Sequence, residues 1–106
     1  MEQEVQRYCD KLRRYYTEGD KLVQYPQKRP MRLLALARIA GRFEEGRQYT
    51  EREVNEVIKS AIAFSDVEMV RRELFEYKFL DRCRDGSAYW AGEKWRETYS
   101  DYIEVQ

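Results

Sequence analysis

The strongest constraint on this chain lies between Tyr49 and Gly86. Thr50 and Glu53 stand at the spacing of a capping box. In that motif the hydroxyl takes the third residue's N–H and the carboxylate reaches back to the first. Val54, Val57, Ile58 and Ile62 then recur at helical intervals. Ser65 and Glu68 repeat the capping spacing and predict another helix, Asp66 to Tyr77, with Val67, Val70, Leu74 and Tyr77 on its inner stripe. Phe79 to Arg84 and Ser87 to Ala91 read as strands around Asp85-Gly86, the preferred pair for a two-residue type I′ turn. Helix, helix, hairpin is the order of a winged helix-turn-helix. The expected fold class is therefore α+β and mainly helical: a winged helix-turn-helix core with additional N- and C-terminal helices.

The hairpin turn also predicts a register, with Cys83 opposite Ala88 and Arg82 opposite Tyr89. Strand side chains alternate. Cys83, Ala88 and Trp90 then share one face. Arg82, Arg84 and Tyr89 share the other, which is expected to be exposed.

Residues 2 to 18 read as an amphipathic helix with Val5, Tyr8, Leu12 and Tyr15 on its seam and Gly19 as its C-cap. Lys21 to Pro26 is an extended link, because a proline disfavours helix at the residue before it. A second helix starts near Arg29, with Pro30 in its first turn, and ends before Gly46. Its apolar residues (Leu33, Leu34, Leu36, Ala37, Ile39, Ala40 and Phe43) cover much of its circumference, as expected of a central core helix. Arg47 to Tyr49 is a short strand candidate. From Glu93 the tail reads as one last helix with Trp95, Tyr99, Tyr102 and Ile103 on one side. The organisation is 1–24 N-terminal helix and link, 25–92 winged-helix core, 93–106 C-terminal helix.

Composition excludes several functions. Histidine is absent, which removes the commonest general base and metal ligand. Cys9 and Cys83 form no CxxC pair and have no histidine to activate them. Cys83 is expected to pack inside the hairpin. Glu44-Glu45 reads as solvated loop, and no glycine-rich phosphate loop occurs. An enzyme is not expected, nor is a cofactor or a metal. No apolar run approaches the roughly 18 residues of a membrane span. The N-terminus is acidic and unlike a signal peptide, so the expectation is a cytoplasmic protein with reduced thiols.

One further pattern runs through the core. Arg42-Phe43, Gly46-Arg47, Tyr49 to Val57, Asp66, Val70 to Leu74, Phe79-Leu80, Arg82, Asp85-Gly86-Ser87 and Tyr89-Trp90 resemble the domain of unknown function 2087 family. The likeness runs from about Tyr25 to Trp90. Members of that family occur as C-terminal parts of bacterial regulators or alone, and a chain of this length looks like a stand-alone member. The resemblance implies a small winged-helix-like domain in bacterial transcription. It transfers no catalytic or ligand-binding residue.

Duplex DNA is the partner this fold suggests, because the second helix of such a motif enters the major groove. The candidate contacts are Arg71, Arg72, Lys78, Arg82, Arg84 and Tyr89. The outward face of that helix also carries Glu68 and Glu76, each four residues from Arg72, so a solvated face of weak ion pairs is the competing interpretation. Charge gives DNA little help. Residues 28 to 92 carry 13 basic and 11 acidic groups, and the whole chain balances at 20 and 20. The second reading is a protein-interaction or dimerisation module that keeps the fold without DNA. Nine tyrosines and two tryptophans, several on the terminal helices, favour a homodimer through those helices.

Overall fold

The apolar helix at residues 29–40 becomes the axis of the molecule. The computed structural model describes residues 2–106. In chain order these form α1 (Glu2–Leu12), a 3-10 turn (Arg13–Tyr15), α2 (Arg29–Ala40), α3 (Glu51–Ala61), α4 (Val67–Glu76), β1 (Leu80–Arg82), β2 (Tyr89–Ala91), α5 (Trp95–Thr98) and α6 (Ser100–Glu104). The protein is α+β and mainly helical. In α2, Met31, Leu33, Leu34, Ala35, Leu36, Ala37, Ile39 and Ala40 are all buried, because α1, α4 and α6 pack on different sides of it. Phe43 continues that core.

The link between α1 and α2 is anchored by Leu22. Its N–H donates to the Ala61 carbonyl and its own carbonyl accepts from Ala63. Leu22 thereby ties the link to the end of α3, with its side chain fully buried. The capping box at α3 forms as expected: Thr50 Oγ1 accepts from the Glu53 N–H at 3.1 Å, and the Thr50 N–H donates to Glu53 Oε1 at 2.9 Å. Val54, Ile58 and Ala61 turn inward, while Val57 is half-buried.

Strands β1 and β2 pair antiparallel, with Leu80 opposite Ala91, Asp81 opposite Trp90 and Arg82 opposite Tyr89. The Cys83 N–H donates to the Ala88 carbonyl, so the expected register holds to the tip. Tyr49 and Tyr89 exchange both backbone hydrogen bonds, at 2.7 and 2.8 Å, and place a single bridge residue on the far side of β2. Of the strand expected at Arg47 to Tyr49, this bridge is what forms.

Five local expectations fail. The first helix turns 3-10 at Arg13, and the left-handed residue after it is Asp20 at φ 64°, not Gly19. The second helix stops at Ala40, earlier than expected. Helix α4 is capped by Asp66, whose Oδ1 accepts from the Met69 N–H at 3.1 Å; a carboxylate one residue later displaces the Ser65–Glu68 box. The hairpin tip is not type I′, which needs φ > 0 at both central residues. Asp85 has no positive φ; Gly86 alone does, at 76°, after a turn closed by the Gly86 N–H to Cys83 carbonyl bond. The tail breaks into α5 and α6 at Tyr99, whose hydroxyl donates to the Tyr77 carbonyl and whose ring stacks on Phe79 at 4.4 Å.

Candidate nucleic-acid interface

Two polar clusters decide which side of α4 faces out. On one flank Arg71 reaches across to α3: Nη1 donates to Asn55 Oδ1 at 2.5 Å and Nη2 lies 3.6 Å from Glu51 Oε1. The Tyr89 hydroxyl donates to the same Glu51 oxygen at 3.5 Å. On the other flank the Tyr25 hydroxyl donates to Glu73, and Arg32 Nε lies 3.8 Å from that carboxylate. Burial, with the adjacent Glu73, holds the Tyr25 phenol well above its ordinary pKa. Val70 and Leu74, both fully buried, seat the inner stripe on the core. Val67 and Tyr77, at the ends of that stripe, are half-buried.

The remaining face presents Glu68, Arg72 and Glu76, all exposed, beside the half-buried ring of Phe75. Arg72 forms no ion pair among the described residues, although Glu68 and Glu76 are one helical turn away on either side. The chain then leaves α4 through Lys78, in the left-handed region at φ 67°. Lys78 is exposed, as are Arg82 and Arg84 on the hairpin. None of the three has a carboxylate within ion-pair distance among the described residues. The Arg82 guanidinium lies 4.8 Å from the Phe75 ring centre, a cation–π contact that ties hairpin to helix.

The structure therefore separates the six sequence candidates. Arg72, Lys78, Arg82 and Arg84 are exposed on α4, the turn after it and the hairpin. Arg71 is held: its side chain is 16% exposed and bound to Asn55 and Glu51. Tyr89 corrects an expectation outright. It is 4% exposed and belongs to the core. The face it shares with Leu80 is the inward one, packed on the core. Arg82 lies on that same face, past the edge of the core.

Cys83 also departs from expectation. It is only half-buried and organises the turn: Sγ lies 3.0 Å from Asp85 Oδ1 and accepts from the Ala88 N–H at 3.2 Å. Asp85 also accepts from the Ser87 N–H, and these bonds hold its carboxyl at about 2. The roles of Asn55 and Glu51 left no trace in the sequence, since neither spacing nor residue type announces a contact between helices.

Among the described residues no group of three or more Cys, Asp and Glu side chains is placed to hold a metal ion. No helix is long and apolar enough to cross a membrane. A family model described as an uncharacterized protein conserved in bacteria (DUF2087) matches residues 21–91. No curated protein and no solved structure matches the chain.

Proposed function

From the premise that this chain belongs to the DUF2087 family, we propose that it is a winged-helix module that binds duplex DNA in bacterial transcription regulation, in the cytoplasm. The wing reading rests on connectivity. Tyr49 pairs with β2, β2 pairs with β1, and α3 and α4 lie between the bridge residue and the hairpin in sequence. A winged helix-turn-helix has that arrangement. The DNA reading rests on one observation: four cations without an ion pair among the described residues, Arg72, Lys78, Arg82 and Arg84, run from the outer face of a doubly clamped helix onto the adjacent hairpin. A clamped helix presents its side chains from a backbone that needs no ordering at the moment of binding.

Four cations are fewer than the 6 to 10 phosphate contacts common in such complexes. Two protomers supply eight, so the reading includes a homodimer. The inner sides of the terminal helices cover α2, with Val5, Cys9, Leu12 and Trp95 buried. A dimer through these helices therefore uses their outer sides.

The test is a titration of labelled duplex DNA at about 50 and 200 mM salt. Affinity should fall steeply with salt, and Arg72→Ala and Arg84→Ala should each flatten the dependence by about two units of slope, one from each protomer of the dimer. Absence of binding at the lower salt rejects the proposal.

That outcome would favour the second reading, a protein-interaction module on the same fold. Its supporting observation is Glu68, Glu76, Asp81 and Asp85, four exposed carboxylates on the elements that carry the four cations. A balanced patch of that kind suits a partner with both signs of charge better than a phosphate backbone.

A further inference from the structure

The terminal helices enclose a cleft that the DNA reading leaves unused. It has a volume of about 520 Å³, within the range of small-molecule sites. α1 and the 3-10 turn form one wall, α2 the floor, and α5 and α6 the other wall. We propose that this cleft binds a small organic carboxylate with an apolar body.

Two unmatched donors point to the ligand's polar end. Tyr16 and Trp95 both line the cleft. The Tyr16 hydroxyl and the Trp95 Nε1–H are closed off beneath the cleft's surface, and among the described residues neither has a hydrogen-bond partner, so a ligand reaches them only as the covering side chains move aside. Folded proteins seldom leave such groups unsatisfied, since each costs about 1–3 kcal/mol. An indole N–H can only donate. Burial pushes the Tyr16 phenol up to about 12, so it keeps its proton at neutral pH and donates too. The missing complement is an acceptor.

Charge narrows the acceptor to an anion. Arg13, Arg38 and Arg96 line the cleft; Asp20 and Glu45 pair with the last two, which leaves Arg13 as the surplus charge among the described residues. Each unmatched donor sits on a ring covered by one of these guanidiniums. Arg38 lies 4.4 Å from the Tyr16 ring centre, held by Asp20 at 2.6 Å. Arg96 lies 4.5 Å from the Trp95 ring centre, held by Glu45 at 2.9 Å. Arg13 is exposed and unpaired among the described residues. Neutral donors inside a positive field bind an anion in preference to a neutral acceptor. Leu12, Ala37 and Ile103 supply the apolar wall for the rest of the molecule.

Benzoate and hexanoate are suitable probes, with benzyl alcohol as the uncharged control. Binding is read from the indole N–H resonance of Trp95 in the full chain. The Trp90 indole, on the hairpin and outside the cleft, serves as reference. At least one acid should move the Trp95 signal to saturation and leave Trp90 in place. The alcohol should bind about tenfold more weakly or worse. Tyr16→Phe should weaken the acid by about fivefold or more while the apo protein melts no lower than wild type, because the variant removes an unsatisfied hydroxyl. Arg13→Gln, a surface change, should weaken it without altering the melt. The proposal is overturned if neither acid gives a saturable shift by about 10 mM, if the alcohol binds equally well, or if Tyr16→Phe leaves acid affinity unchanged.

Discussion

Replacing Gly92 by alanine drives a methyl carbon into the backbone carbonyl of Lys78. Built on the existing backbone, that carbon stands 2.2 Å from the Lys78 oxygen, 3.2 Å from its carbonyl carbon and 3.3 Å from the Phe79 oxygen. None of these atoms can rotate away. Lys78 is already in the left-handed region, and the Gly92 N–H donates to the Phe79 carbonyl at 2.9 Å. Relief needs a shift of about 1 Å between the end of α4 and the root of β2. That shift breaks the Gly92–Phe79 bond, at about 1 kcal/mol. It also disturbs Phe79, which is fully buried between Trp95 and Tyr99, at about 1–3 kcal/mol of overpacking strain. The expected loss is about 3 kcal/mol, or roughly 12 to 24 °C in Tm for a domain of this size. Two other glycines calibrate the result. At Gly41, with φ −63°, the added carbon meets only ordinary contacts near 3.5 Å, so alanine should be neutral or stabilise by about 0.5 kcal/mol. At Gly46, with φ 78° and open space, alanine should cost about 1 kcal/mol from backbone strain alone. Urea denaturation of the three variants gives the order. A Gly92→Ala protein within about 0.5 kcal/mol of wild type would refute the reasoning.

Thr50→Ala removes one half of the capping box and should cost about 1 kcal/mol in urea denaturation, with Thr50→Ser largely retaining wild-type stability; equal losses for both would discount the hydroxyl. Asn55→Ala takes away the hydrogen-bonded partner of Arg71 and should destabilise by about 1–2 kcal/mol, whereas Arg72→Ala, on the exposed face, should stay within about 0.5 kcal/mol. Alkali should weaken the fold. The Tyr16 phenol titrates near 10 when unfolded and at about 12 when folded, so its contribution is complete below pH 10 and is lost between pH 10 and 12. Tyr25, also raised by burial, acts in the same direction. Stability measured at pH 9 and 11 should drop by about 2 kcal/mol, and less in Tyr16→Phe; a flat profile contradicts the burial of these phenols.

Local chemistry made part of this structure legible in advance. Thr50 and Glu53 announced a helix start because their bonds lie within four residues. The register of Arg82 with Tyr89 followed from the turn position, and the central place of α2 from its continuous apolar surface. What local reading missed was decided between distant segments. Alternation separates the two faces of a hairpin without saying which is buried. The packing of Leu80 and Tyr89 on a core built from distant segments settles that. Arg71 and Arg72 are adjacent and identical in type, yet Asn55 and Glu51 hold one and leave the other outside. The cleft beside Tyr16 and Trp95 was invisible for the same reason, since its walls come from both ends of the chain.

The burial of α2 on nearly every side has a consequence for how the protein is lost. Eight of the twelve residues of this helix are buried and apolar, so whatever peels from it exposes a sticky surface. α1 and α6 are the covers that can leave without unzipping α3 or α4, whereas α5 is tied to the root of the hairpin by Trp95 and Tyr99 on Phe79. The Cys9 Sγ contact to the Val105 carbonyl, at 3.5 Å, is among the few polar links that join the two covers. Partial opening there, well short of global unfolding, would bare Leu33, Leu34 and Ala37 to solvent and to neighbouring molecules. Shelf life and proteolytic half-life should therefore track the fraying of the terminal helices rather than the stability of the hairpin core. Hydrogen exchange resolved by segment would show those helices opening first.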